Sequence, residues 1–244
     1  MIVTGGSRGI GAATALLAAE RGYAVAVNYL GNSDAADRVV GSIEKAGGKA
    51  IAVAGDVAIE SDVVQLFAKT DRMLGKLGVL VNNAGIVDRG SRVEAMSAGR
   101  IQRMLAVNVT GSFLCAREAV KRMSTRNGGK GGAIVNVSSV AARLGGAGEY
   151  VDYAASKGAI DTFTVGLAKE VGPEGIRVNA VRPGVIRTEI HATSGDPGRV
   201  ERIGACAPLL RAGEAEEIAR SILWLASDEA SYITGALLDV SGGR

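Results

Sequence analysis

Tyr153-Ala-Ala-Ser-Lys157 lies in a helical run from Val151 to Glu170, with its two chemically active ends four residues apart. On a helix that spacing projects both side chains from one face, a turn from each other. A phenol ordinarily loses its proton near pH ~10. An ammonium held close favours the phenolate and brings that value toward the working pH, where the tyrosine can exchange a proton with a bound molecule. The same pair also suits a solvated helix surface, so its meaning depends on its surroundings. Tyr150 is a rival phenol, but position 154 is alanine and no lysine lies four residues on; it is expected to line a pocket instead.

A second chemical feature stands at the other end of the chain. Thr4-Gly5-Gly6-Ser7-Arg8-Gly9-Ile10-Gly11 follows a short apolar run and leads directly into a helical pattern. Glycines let backbone amides approach phosphate oxygens, and a helix N-terminus adds partial positive charge. The turn is therefore expected to bind phosphate. Its spacing is neither G-x-G-x-x-G nor a P-loop, which needs a G-K-[ST] ending.

These two features must be positioned by the elements between them. Short β-rich runs at Ile2–Thr4, Ala24–Asn28, Ala50–Ala54, Val79–Val81, Ala133–Val137, Arg177–Val181 and Leu237–Val240 are mostly continuous apolar stretches, as in strands covered on both faces. Helical patterns alternate with them at Gly11–Arg21, Ser33–Ala46, Glu60–Leu74, Ala98–Ser124, Val151–Glu170 and Glu214–Ala226. Such alternation predicts an α/β protein with a parallel sheet, right-handed crossovers and helices on both faces. Nothing divides the chain, so residues 1–244 are expected to form one domain. The chain begins almost inside its first strand, and Ile2–Thr4 is expected to be a trimmed edge. Arg187–Gly213 is a long insertion of low pattern, placed where open α/β sheets bind ligands, and is expected to cover a substrate. Gly128–Gly132 is expected to be a structural loop.

Composition narrows the class. The chain has 244 residues, 47% apolar but only 4% aromatic, so its core must be aliphatic. A net charge of +3, spread along the chain, gives no footprint for nucleic acid or a membrane surface. No apolar run reaches about 18 residues. Cys115 and Cys206 have no CxxC spacing and fit unpaired thiols in a reducing cytoplasm, with Cys115 a small buried hydrophobe. His191 is the single histidine, which leaves neither a metal site nor a Ser/His/Asp triad; it is taken as part of the cover.

The first turn resembles the Thr-Gly-x-x-x-Gly-x-Gly turn of the short-chain dehydrogenase/reductase (SDR) family, carried by Thr4, Gly5, Gly9 and Gly11. The resemblance continues through Asn82-Asn83-Ala84-Gly85 at the end of the fourth strand, Asp56-Val57 after the third, and Pro183-Gly184 with Thr188. Asn108, Ser139, Tyr153 and Lys157 match the family's catalytic tetrad, and Thr234-Gly235 through Gly243 looks like its last strand. The resemblance implies a Rossmann-like doubly wound sheet of about seven strands in a three-layer α/β/α sandwich. It implies a dinucleotide held by Gly5, Ser7, Arg8, Gly9 and Ile10 at the phosphates. Asp56 and Val57 would lie at the adenine, with Asn83, Ala84 and Gly85 behind the cofactor. Lys157, beside Tyr153, would hold the nicotinamide ribose, with Pro183, Gly184 and Thr188 on the nicotinamide side. Tyr153 would be the general acid/base, Lys157 its tuner, Ser139 the holder of the substrate oxygen, and Asn108 the residue positioning a water beyond Lys157. Ser138 and Ser139 both suit the serine role; Ser139 is preferred as nearer Tyr153. Leu144–Asp152 looks about one residue long for the family, which predicts a bulge or longer loop. Family members commonly pair their long middle helices, implying a homotetramer.

The second strand ends Val27-Asn28-Tyr29-Leu30, with no acidic residue before Asp34. A carboxylate there would bind a ribose 2′-hydroxyl and repel a 2′-phosphate. Its absence, with Arg8 as a positive partner and Asn28 and Ser33 as hydrogen-bonders, predicts NADP(H) over NAD(H), the latter remaining possible. A small carbonyl or alcohol substrate is expected. A 3-oxoacyl carrier-protein reductase, a glucose-type sugar dehydrogenase and a dinucleotide binder without turnover share these motifs, the last lacking any need for Ser139, Tyr153 and Lys157. Arg126 and Lys130 are the thin candidates for a carrier-protein patch. Glu94, Arg100, Arg103 and Lys121 read as solvated or interface charges, and Leu223, Trp224 and Leu225 as packing.

Overall fold

The computed structural model describes residues 1–189 and 198–244. Its strands are β1 (Ile2–Val3), β2 (Val25–Tyr29), β3 (Ala50–Ala54), β4 (Val79–Asn82), β5 (Gly132–Val137), β6 (Ile176–Pro183) and β7 (Leu237–Val240). They form one parallel sheet in the order β3-β2-β1-β4-β5-β6-β7. The helices are α1 (Gly9–Glu20), α2 (Ser33–Lys45), α3 (Glu60–Leu74), α4 (Ala98–Leu105), α5 (Gly111–Met123), α6 (Ala141–Leu144), α7 (Val151–Val171), α8 (Arg199–Gly204) and α9 (Ala215–Ala226).

Alternate residues of each strand feed two cores, which is why the strands read as unbroken apolar runs. Val3, Val25, Val27, Val81 and Val135 join α1, α2 and α9 on one face. Ile2, Ala26, Leu80, Ile134 and Val178 join α3, α5 and α7 on the other. The doubly wound three-layer sandwich follows directly from this period of two. Cys115 is buried in the second core, which pushes its thiol up to about 12 and leaves it a hydrophobe; Cys206 is exposed, and both are unpaired.

Three expectations need correction. β1 has only two residues, but it lies inside the sheet between β2 and β4, not at an edge. The expected single helix Ala98–Ser124 is interrupted at Ala106–Thr110 by a π-turn, whose extra residue re-aims everything after α4. The insertion Arg187–Gly213 contains α8, and its base is pinned by a parallel bridge between Ile186 and Gly213. His191 lies outside the described residues.

Strand order reverses between β1 and β4, so their carboxyl ends diverge and leave a crevice between the turns that follow them. That crevice is the site.

Candidate active site

The glycine turn is fastened to the end of β4 by side chains that its sequence alone does not connect. Thr4 Oγ1 accepts from the backbone N–H groups of Asn83 and Ala84, each at 3.0 Å. Asn83 Nδ2 returns bonds to the Thr4 carbonyl at 2.8 Å and the Gly5 carbonyl at 3.0 Å. Gly5 and Gly9 sit at φ +58° and +53°, which favours glycine. A Cβ on Gly11 would lie 2.3 Å from the Gly5 oxygen and 2.5 Å from Asn83 Nδ2. The tight turn therefore presents the first-turn amides of α1, which has no side-chain cap and no acidic residue there. Those amides suit an anion, and the cradle fits the diphosphate of a dinucleotide.

A cleft of about 720 Å³ runs from this turn over the ends of β1, β4, β5 and β6 to Tyr153 and α8. Every residue that the resemblance assigns to the dinucleotide lines it, from Gly5 to Thr188, and so does Asn28. Asn28 is placed differently from its expected role. It is buried, its Nδ2 donates to the carbonyls of Val53 and Gly55, and its Oδ1 accepts from Gly5 N–H. Both amide hydrogens are thus spent on fixing the turn against β3, and neither remains for a 2′-phosphate. Ser33 does not line the cleft. Arg8 does; its side chain is 64% exposed and 3.7 Å from Glu189. Asp56 is fixed by Arg103 at 2.8 Å and by the Ala58 N–H, so Arg103 is an ion-pair partner at the cleft wall and not a free charge.

At the far end, β5 delivers Ser139 and α7 delivers Tyr153 and Lys157. The Ser139 hydroxyl faces the Tyr153 phenol and favours its ionised form, and it accepts from the Ala141 N–H at 3.1 Å. Ser138 points the other way, 2.7 Å from Asp161 Oδ1, which separates the two serine candidates. Lys157 Nζ lies 5.6 Å from the Tyr153 ring centre and donates to the Val137 carbonyl at 2.8 Å. Burial raises the Tyr153 phenol, with the Ser139 hydroxyl opposing it. Lys157 does not enter that balance; its Nζ is turned to the Val137 carbonyl. Lys157 itself is brought down to about 8 by burial, with Asp161 opposing.

That shift predicts a pH dependence of stability. Lys157 is near 8 when folded against an unperturbed 10.5, so between those values the unfolded chain binds more protons and this residue makes stability rise with pH. Below pH 8 the buried ammonium is a standing cost. Lys157→Met is expected to raise Tm at pH 7 by about 2–4 °C or more, with the gain shrinking as pH rises past 8. Thermal melts from pH 7 to about pH 9, before Cys115 ionisation in the unfolded chain tilts the balance the other way, read this directly; a gain that does not shrink contradicts it.

Asn108 sits in the π-turn behind the cleft wall. Its Oδ1 accepts from Ile86 N–H at 2.8 Å and its Nδ2 donates to Ile86 O and Ser156 Oγ, each at 3.0 Å. Its side chain therefore braces the Asn83–Ile86 segment against α7. It still stands beside the amine, since a Cβ on Gly85 would lie 3.4 Å from Asn108 Oδ1 and 3.5 Å from Lys157 Nζ.

The loop before Tyr153 coils instead of bulging. Gly145, Gly146 and Gly148 all take positive φ after α6, and Tyr150 N–H bonds back to the Gly146 carbonyl at 2.8 Å. Tyr150 is buried and lines the cleft. Arg100, read as a surface charge, is paired with buried Asp152 at 2.8 Å and donates to the Arg89 carbonyl at 2.7 Å, tying α4 to the start of α7. Residues that sequence reasoning missed include Glu149 and Arg199, paired at 2.8 Å with Arg199 over the Tyr150 ring. No local signal marks that pair, because its members lie far apart in the chain and meet only in the fold.

Among the described residues no helix is long and apolar enough to cross a membrane. Residues 5–244 match the family model described as enoyl-(acyl carrier protein) reductase. The chain is 59% identical over 243 residues to the uncharacterized oxidoreductase YgfF of Escherichia coli strain K12, covering 100% of this chain and 98% of that one. It is 42% identical over 243 residues to a 3-oxoacyl-[acyl-carrier-protein] reductase of Synechocystis sp., covering 99% and 95%. A solved short-chain dehydrogenase/reductase of Serratia marcescens superposes with a TM-score of 0.91 at 36% identity, covering 99% and 96%. With the glycine cradle, the sheet order and these matches all in agreement, the chain belongs to the short-chain dehydrogenase/reductase family of NAD(P)-dependent oxidoreductases.

Proposed function

We propose that the chain, as one domain over residues 1–244, is a cytoplasmic NADP(H)-dependent oxidoreductase acting on a small carbonyl or its alcohol, with Tyr153 as general acid/base. The observation that carries this reading is the meeting of Ser139, Tyr153 and Lys157 at the end of a cleft whose other end is the glycine cradle. When bound, the nicotinamide supplies hydride to the carbonyl carbon or accepts it from the alcohol. Ser139 holds the substrate oxygen, and Tyr153 delivers its phenolic proton to that oxygen in reduction or removes it in oxidation. Lys157 binds the nicotinamide ribose from the same helix face, with its ammonium 5.6 Å from the Tyr153 ring centre. The stack of exposed Phe113 on half-buried Phe163, 3.8 Å apart on α5 and α7, suits burial between subunits of a homotetramer. Similarity to a 3-oxoacyl carrier-protein reductase puts 3-oxoacyl thioesters first among the carbonyls to try. Arg126 adds little to a carrier-protein patch, being paired with Glu174 at 3.1 Å.

The NADP(H) preference rests on the end of β2, where Tyr29, Leu30, Gly31 and Asn32 line the cleft without a carboxylate, and on exposed Arg8. With Asn28 committed elsewhere, Arg8 carries the 2′-phosphate. Arg8→Gln is expected to lower kcat/KM for NADPH about tenfold, the loss of one charge-assisted contact, and to leave NADH within about twofold. Steady-state kinetics with both cofactors test this; equal efficiencies in the parent, or a preference for NADH, refute it.

A further inference from the structure

Tyr153, Lys157 and Asp161 follow one another at four-residue spacing on α7, so Asp161 continues the face that carries the proton-transfer pair. Asp161 is buried and accepts on both oxygens. Ser138 Oγ donates to Oδ1 at 2.7 Å, while Arg182 on β6 donates to Oδ2 from Nε at 3.0 Å and Nη2 at 2.8 Å. Ser138 Oγ also lies 3.2 Å from the Lys157 carbonyl. One carboxylate therefore anchors the residue before Ser139 and the turn of α7 that carries Lys157.

The surrounding charges are few. Lys157 has no ion-pair partner among the described residues, and Asp161 is the carboxylate whose field opposes burial of its ammonium. Across the sheet, Arg182 is 3.6 Å from Asp239 on β7, and Asp239 is 3.1 Å from Arg143 on α6. Tyr153 is the other titratable group on this face. A buried ion pair is weak support for stability by itself, since an apolar pair of similar volume serves as well. Placement beside a buried amine gives this one a different use.

We propose that Asp161 is a positioning residue of the reaction: it holds Ser138, and through it Ser139, and supplies the counter-charge of Lys157, with Arg182 setting how much of that charge Lys157 feels. This rests on the reading of Tyr153 and Lys157 as the proton-transfer pair.

The test follows Lys157 by ¹³C NMR of its ε-carbon through a pH titration, together with pH profiles of kcat/KM. Asp161→Asn removes the negative charge and is expected to move the Lys157 titration down by about 0.5 pH unit or more. Arg182→Gln unshields Asp161 and is expected to move it up by a comparable amount. Ser138→Ala, which removes no charge, is expected to lower kcat without moving the titration. Opposite shifts in the two charge variants, mirrored in kcat/KM, support the proposal; an unmoved titration, or shifts of one sign in both, overturns it. If Asp161→Asn does not fold, Arg182→Gln decides alone, a rise supporting and anything else overturning. A parent that reduces no carbonyl sinks the functional reading, whereas an active parent with unmoved titrations sinks only this inference.

Discussion

Tyr153→Phe is expected to cut turnover by about three orders of magnitude while leaving dinucleotide affinity within about twofold of the parent. The phenyl ring keeps the packing on α7, and the change removes only the phenolic oxygen that faces Ser139. A positioned general acid contributes about 10²–10⁴-fold, so the loss in kcat is expected to reach about 10³. Cofactor affinity should persist because the cradle is made by Thr4, Gly5, Gly9, Gly11 and Asn83, at the other end of the cleft. Kinetics with NADPH and a fluorescence titration of the same preparation separate the two effects. Turnover near the parent rate would remove Tyr153 from the chemistry.

Gly11→Ala is expected to have the opposite profile, weakening binding by way of the fold. The added carbon meets the Gly5 carbonyl at 2.3 Å and Asn83 Nδ2 at 2.5 Å. Neither can retreat, because Asn83 already holds the Thr4 and Gly5 carbonyls and so joins β1 to β4. Relief requires α1 to move off the turn, at a cost of about 1–3 kcal/mol in stability. The amides that suit a diphosphate move with it, and dinucleotide affinity is expected to fall at least about tenfold. Gly41→Ala in α2 is the control, since nothing lies within 4 Å of its added carbon; it is expected to stabilise by up to about 1 kcal/mol. Melting curves and titrations of the two variants should diverge. Parent-like binding by Gly11→Ala would mean the cradle is not where the dinucleotide sits.

The strands and most helices were legible because each rests on a local property. Ala50–Ala54 and Glu60–Leu74 have the limits read from the sequence, as does β7. What was not legible depends on partners far along the chain. Asn28 looks like a free amide at a strand end until Gly5, Val53 and Gly55 occupy it. Arg100 looks like a surface charge until α7 brings Asp152 to it from 52 positions away. The π-turn at Ala106–Thr110 has no compositional mark, being one residue added to a helical period, yet it fixes how Asn108 faces Ile86 and Ser156. Trp224 shows the reverse limit. Leu223 and Leu225 beside it are buried as expected, but its own side of α9 faces outward and leaves it 37% exposed.

The site was legible to the extent that its residues come in short linked groups. Tyr153 and Lys157 share one helix face, and the glycine turn is continuous. Ser139 was preferred for its nearness to Tyr153 in the sequence, but the direction each hydroxyl takes at the end of β5, the one toward Tyr153 and the other toward Asp161, was not legible.

The central claim is hydride transfer to a substrate held at Tyr153. Incubating the parent and Tyr153→Phe with 4-deuterated NADPH and a panel of 3-oxoacyl thioesters, aldoses and simple ketones measures it directly. Mass spectrometry should find deuterium on the carbinol carbon of at least one product with the parent and none with Tyr153→Phe. A parent that binds NADPH yet labels no carbonyl, or a Tyr153→Phe variant that labels as fast as the parent, would contradict it.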